Sequence, residues 1–347
     1  MTDRQTDRQT DRQTNIDLIR IIACIAVVGL HTVSRDISDG CSAMYYICGF
    51  AIPFFFMSSG YFLLNRGKIN FKYSIKKNCA IIRIVFIWNL IYLILKAIKG
   101  YFTEHLITVN ILSIFQEVLK SFAQKGAFSH FWYLGALGIL YFLLPVFSKF
   151  SIAGKKKILI LFGTIAVFIQ LLSFKFKMPV QSCIIQTLRL WTWLFYFILG
   201  SLMVELKPKI EKIPIHIHTI ICIIFTIVIA VFQNYVGSNL IIESIGLKLH
   251  AEYFYDSILE IFWVSFLFLL LLRVNCSKRI KVVISKIVPL TMGIYIIHFE
   301  LKGIVCKIIN VDTFLTVIFY WIVIFLLSAI ISYILNCTKL GKYLVRM

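Results

Sequence analysis

Acidic side chains are scarce in this 347-residue chain, 16 Asp and Glu against 36 Lys and Arg, a formal charge of +20. The nine cysteines form no CxxC pair and have no histidine nearby at ligand spacing, which excludes the common zinc modules and leaves them as small apolar packing residues; no metal is expected. No small-residue cleavage site follows the first apolar run, so that run stays in place instead of being removed as a signal peptide. Polar and apolar residues do not alternate within the long apolar runs, which argues against strands. Nor does the sequence show an inverted repeat or a matched pair of Gly/Pro-broken spans, the marks of many transporters.

What is abundant is apolar surface. Hydrophobic residues make up 60% of the chain and the mean hydropathy is +0.87, against roughly 45–50% apolar content in soluble domains. An all-α, polytopic integral membrane protein follows. The basic excess lies in short runs between apolar blocks, where it sets orientation and forms no nucleic-acid-binding patch. A window of about 20 residues gives ten spans, near 16–34, 43–64, 79–98, 131–148, 157–174, 188–206, 217–236, 254–273, 287–306 and 314–335. Most of the Lys and Arg outside the spans fall on one side, which predicts both termini in the cytoplasm. The chain then divides into a tail over 1–14, a transmembrane domain over 15–335 and a cytoplasmic tail over 336–347.

The opening "TDRQTDRQTDRQT" has no apolar residue and reads as a disordered leader. Thr-Asp-Arg-Gln is also what the four-base word ACAG encodes when repeated. A unit that is not a multiple of three shifts the reading frame when one copy is gained or lost, so the expectation is a gene switched on and off by slippage.

Span one carries Asp17, Arg20 and His31. At 100° per residue Arg20 and His31 return to the same face within about 20°, and Asp17 lies within about 60° of Arg20, so the three share one stripe. Eleven residues separate Arg20 from His31 by about 16 Å along the axis. Ionisable groups within a bilayer face a cavity or a partner, and Asp17 can pair with Arg20 at i+3. The alignment of Arg20 and His31 points to a single groove joining them. Further polar sites are "SSG" at Ser58, Ser59 and Gly60, the run of Lys76 and Lys77 leading to Arg83, the outer-side pair His130 and Trp132, and His298 with Glu300 in span nine. His105, His216, His218 and His250 read as solvated loop residues.

These residues together resemble the acyltransferase 3 family of ten-span membrane acyltransferases, from Asn15 to about Leu335. The likeness rests on "DLIRIIACIAVVGLH", with its Arg, ten residues and His at Arg20 and His31, on "FFFMSSGYFL", on Lys76, Lys77 and Arg83, on "HFWYLGALGILYFLLP", and on "GIYIIH" at 293–298. Thr291 stands near a position where the family often has Ser, and no extracellular domain is appended.

The resemblance implies transfer of an acyl group, most often acetyl, from cytoplasmic acyl-CoA to a hydroxyl of an envelope glycan such as exopolysaccharide, lipopolysaccharide or peptidoglycan, at the bacterial inner membrane. Acetyl-CoA would be a donor substrate; no permanently bound cofactor is implied. His31 looks like the catalytic histidine, with Asp17 and His298 in support. Arg20, Ser59, Gly60, Lys76, Lys77 and Arg83 look like donor-binding or site-organising residues, and His130 and Trp132 like the acceptor side. An arginine fork suits the phosphates of CoA, and a pantetheine arm of roughly 15–20 Å matches the Arg20 to His31 rise. His31 can serve as general base or carry the acyl group itself. Candidate partners are membrane lipid, acyl-CoA, the glycan acceptor and a second copy in a homodimer. A transporter or flippase of an envelope precursor and a non-catalytic sensor of the same fold are the alternatives.

Overall fold

The computed structural model describes residues 3–104, 111–239 and 249–347, and the described residues are helical with no strand. In chain order the helices are α1 (Asp3–Thr32), α2 (Asp39–Ile47), α3 (Ala51–Leu63), α4 (Phe71–Glu104), α5 (Ile111–Phe122), α6 (Trp132–Phe147), α7 (Ile152–Phe176), α8 (Leu190–Ile210), α9 (Ile215–Asn239), α10 (Ile258–Leu271), α11 (Lys278–Ile287), α12 (Thr291–Val305), α13 (Phe314–Cys337) and α14 (Lys339–Val345). Starts are marked by hydroxyls that satisfy otherwise unpaired backbone N–H groups. Ser38, Ser151, Ser257 and Ser277 accept from the first turns of α2, α7, α10 and α11, and Thr313 builds a capping box with Thr316 on α13.

Among the described residues nine stretches are long and apolar enough to cross a bilayer, four of them Thr14–Thr32, Asp39–Leu63, Ser129–Phe147 and Lys278–Val305. The eighth expected span, 254–273, contracts to the 14 residues of α10. At 1.5 Å per residue α10 covers about 21 Å, short of a hydrocarbon layer of about 30 Å. Ser257 caps it at one end, and Leu272 closes it at the other.

The two ends of the chain also differ from expectation. α1 begins within the TDRQ repeat, since a helix already nucleated by span one extends at little cost through Gln, Arg and Asp. The segment read as a tail over 336–347 folds back as α14. Gly341 lies so close to the Leu335 carbonyl that an added Cβ would be 2.1 Å from its oxygen.

The outside of the bundle is apolar. On α9, Ile220, Ile223, Ile224, Ile227 and Val231 are all exposed at helical spacing, a stripe suited to lipid. The inside holds large aromatic residues and a few charges, among them Arg189, Asp256 and Glu260. Trp193 is fully buried, stacks on Phe56 at 4.8 Å and donates from Nε1 to the Gln186 carbonyl. The tightest helix contact is between α3 and α8. A Cβ on Gly60 would lie 1.7 Å from the Phe197 carbonyl oxygen, and one on Gly200 2.1 Å from that of Met57. Small residues facing each other let two backbones touch, the usual solution for helix packing in lipid.

Candidate active site

His31 sits in the last turn of α1 and meets two other histidines. Its ring centroid is 5.1 Å from that of His298 on α12, which is 5.5 Å from that of His130, just before α6. Phe299 wedges the group, edge-on to His31 at 5.4 Å and stacked on His130 at 5.0 Å. His298 and His130 are buried. His298 Nδ1 lies 3.1 Å from the Ile294 carbonyl, which can only accept, so the proton of the neutral ring is on Nδ1 and Nε2 keeps a lone pair. That Nε2 and both nitrogens of His130 are buried without partners among the described residues.

His31 and His130 open into a cavity of about 430 Å³, with Trp132 also on its wall. Arg35, Asp36, Gln186, His250, Glu252 and Lys302 give it polar lining, beside apolar residues such as Val27, Leu30 and Ile52. Arg35 Nη1 donates to the Leu249 carbonyl at 2.5 Å and its guanidinium lies 4.8 Å from the Tyr45 ring, while Tyr45 Oη lies 3.3 Å from His250 Nδ1. Glu252 accepts from Gln186 and faces the buried Arg189 at 4.0 Å. Burial raises the Glu252 carboxyl above its ordinary range, with Arg189 opposing.

Arg20 lines a second cavity, of about 380 Å³, with Ser59, Lys77, Thr291 and Arg346. It pairs with Asp17 at 3.8 Å and its guanidinium lies 4.9 Å from the Phe62 ring. The two cavities share no lining residue, so the single groove expected from the sequence is two chambers. Tyr133 and Tyr295, with ring centroids 5.6 Å apart, stand between them. Both line the Arg20 side, while Tyr295 packs on His130 at 5.3 Å and donates its hydroxyl to the His130 carbonyl. Among the described residues no three His, Cys, Asp or Glu side chains are placed to hold a metal ion.

A family model described as an acyltransferase domain, Acyl_transf_3, matches residues 13–337. The chain belongs to the acyltransferase 3 family. That membership supports a multi-pass membrane acyltransferase in general terms. Two proteins of Enterococcus faecalis, each described as an amino-acid racemase, are similar over part of this acyltransferase 3 chain, at 36% identity over 129 residues and 31% over 127. Each match covers 35% of the chain and only 17% and 16% of those longer proteins. No solved structure matches.

Several acyltransferase 3 motif positions do other work than expected. Asp17 lines neither cavity; it is some 21 Å of helix away from His31 and its partner is Arg20. Gly60 lines neither cavity, because the Phe197 backbone fills the space beside it. Lys76 is exposed and lines neither. Arg83 gives Nη2 to the Arg346 carbonyl at 2.7 Å and lies 4.7 Å from the Tyr343 ring, so it holds α14 and does not line the cavity. Arg20, Ser59 and Lys77 do share one chamber, and His31, His130 and Trp132 the other.

One histidine read as solvated is buried, and another, His250, is exposed but lines a cavity. His218 is buried within α9, with Nε2 3.0 Å from the Phe266 carbonyl and Nδ1 3.0 Å from Arg273 Nη1. His250 joins the His31 cavity. His105 lies outside the described residues. Arg35, Gln186, Glu252 and Lys302 were missed; Arg35, four residues past His31, and Lys302, four past His298 on α12, had a signal that periodicity offers.

Proposed function

We propose that the chain moves an acyl group, acetyl first among candidates, from cytoplasmic acyl-CoA to a hydroxyl of a cell-envelope glycan, with both termini cytoplasmic in a bacterial inner membrane. The observation that supports this reading is that His31 and Arg20, on one helix, each line a cavity, with Tyr133 and Tyr295 packed on the Arg20 side. In this reading the cationic chamber takes the nucleotide of CoA, and the pantetheine arm passes Tyr133 and Tyr295 to bring the thioester to His31.

The acceptor enters the His31 chamber, whose arginine, lysine, carboxylates and amide suit a hydroxyl-rich molecule. A neutral His31 takes the hydroxyl proton as the oxygen attacks the thioester carbonyl; the carbon–sulfur bond breaks and the departing thiolate takes up a proton. Alternatively the imidazole accepts the acyl group first and passes it on. His298, with Nδ1 fixed by Ile294, positions the His31 ring. Racemisation is not carried over to this chain, since the shared segment is a small part of those proteins.

The test is mass analysis of surface glycans from cells with and without the gene. A mass difference of one acyl group per modified sugar supports the proposal. Identical glycans, together with movement of a solute that consumes no thioester, would replace it with a transporter.

A further inference from the structure

The Arg20 chamber contains a cation that no motif marked. Arg346 lines it beside Arg20 and Lys77, and it directly follows α14, beyond residue 337 where the family match ends. Among the described residues no Asp or Glu side chain lines this chamber; Asp17 pairs with Arg20 from outside the lining, and Met347 lines it with its terminal oxygen 3.4 Å from Lys77 Nζ. Two guanidiniums and an ammonium, only partly offset by these oxygens, suit an anion with several charged oxygens.

The placement of Arg346 is built. Its Nε donates to Asn336 Oδ1 at 2.6 Å, which uses one of five N–H groups and leaves the terminal nitrogens for a ligand. The backbone of α14 and the residues after it is held by three side chains of α4. Trp88 Nε1 donates to the Leu344 carbonyl at 2.9 Å, Arg83 Nη2 to that of Arg346 at 2.7 Å, and Lys77 Nζ to that of Met347 at 3.4 Å. The close seat of Gly341 on the Leu335 carbonyl fixes the turn from α13 into α14.

We propose that Arg346 binds a phosphate of the nucleotide end of acyl-CoA, and that Arg83 is a positioning residue that acts on the donor through α14. This rests on the acyltransferase reading above. The sequence could not show it, because Arg346 follows a short helix with no motif and Arg83 carries the motif but not the contact.

The experiment compares acetyl-CoA with S-acetylpantetheine, which lacks the nucleotide, as donors for the purified full-length protein. Arg346→Gln is expected to raise the KM for acetyl-CoA about tenfold or more, to leave kcat near wild type, and to leave the KM for acetylpantetheine in place, with Arg346→Lys recovering part of the loss. Arg83→Gln should give the same donor-selective rise, and the double variant should be no worse than either single one. Equilibrium dialysis with labelled CoA and thermal unfolding of each variant accompany the kinetics. Unchanged acetyl-CoA KM or CoA binding in a folded Arg346→Gln, or equal rises for both donors, would overturn the role of Arg346. Additive losses in the double variant would overturn the route through Arg83. A wild-type protein that neither binds CoA nor consumes thioester would sink the donor reading itself, a result distinct from either.

Discussion

Gly60→Ala separates a packing role from a donor-binding one. The added methyl would lie 1.7 Å from the Phe197 carbonyl oxygen, where real Cβ contacts essentially never fall below 3.0 Å. The obstacle is backbone, so no side-chain rotation relieves it, and α3 and α8 must part by about an ångström or more. Over-packing typically costs about 1–3 kcal/mol, and a backbone clash belongs at the upper end. About 3 kcal/mol is roughly two orders of magnitude in the folded-to-unfolded ratio. Thermal unfolding in detergent should therefore show Gly60→Ala melting well below wild type, with Gly200→Ala similar, since its methyl would meet the Met57 carbonyl. The folded fraction should keep a wild-type KM for acetyl-CoA. A variant that melts like wild type, or one that is stable but binds donor poorly, would refute the reasoning.

Other expectations follow from the same contacts. His298→Asn should lower kcat by about 100-fold, since a misplaced His31 ring loses its approach to the reacting atoms, and should change the pH profile of kcat while donor KM stays put; unaltered kcat and pH profile would count against a positioning role. His250 lies outside the spans, and partial burial followed by the nearby Arg35 pushes its imidazole down to about 4 from 6.5. The unfolded chain takes up that proton first, so this contribution to stability is complete above pH 6.5 and is lost as pH falls toward 4. Melting measured from pH 7 to 4.5 should decline more in wild type than in His250→Gln; equal declines would contradict this. If the repeat tract is a slippage switch, sequencing it across single colonies should show gains and losses of ACAG units, whereas mixed synonymous codons at fixed length would end the idea.

Much of the scaffold was legible because span length and helical period are local properties. The Arg20 and His31 stripe needed only 100° per residue, and each of the two residues lines a cavity. The limits are physical. Gly60 reads like a ligand contact because a small residue leaves room, but what fills the room is a carbonyl from α8, far along the chain. Arg35, Gln186, Glu252 and Lys302 form one wall from four separate segments, and no periodicity links them. The Tyr133 and Tyr295 partition was hidden for the same reason, since each tyrosine alone is an ordinary aromatic residue in an apolar span. α10 read as a full span because composition alone does not reveal that Ser257 caps its start.

The central claim is that a thioester reacts beside His31. Purified protein supplied with radiolabelled acetyl-CoA and envelope glycan extract tests it, with His31→Ala prepared in parallel and matched for folding by its melting temperature. The account predicts that wild type releases free CoA and labels the glycan, while His31→Ala does neither at equal stability. Labelling that persists undiminished in His31→Ala would contradict it.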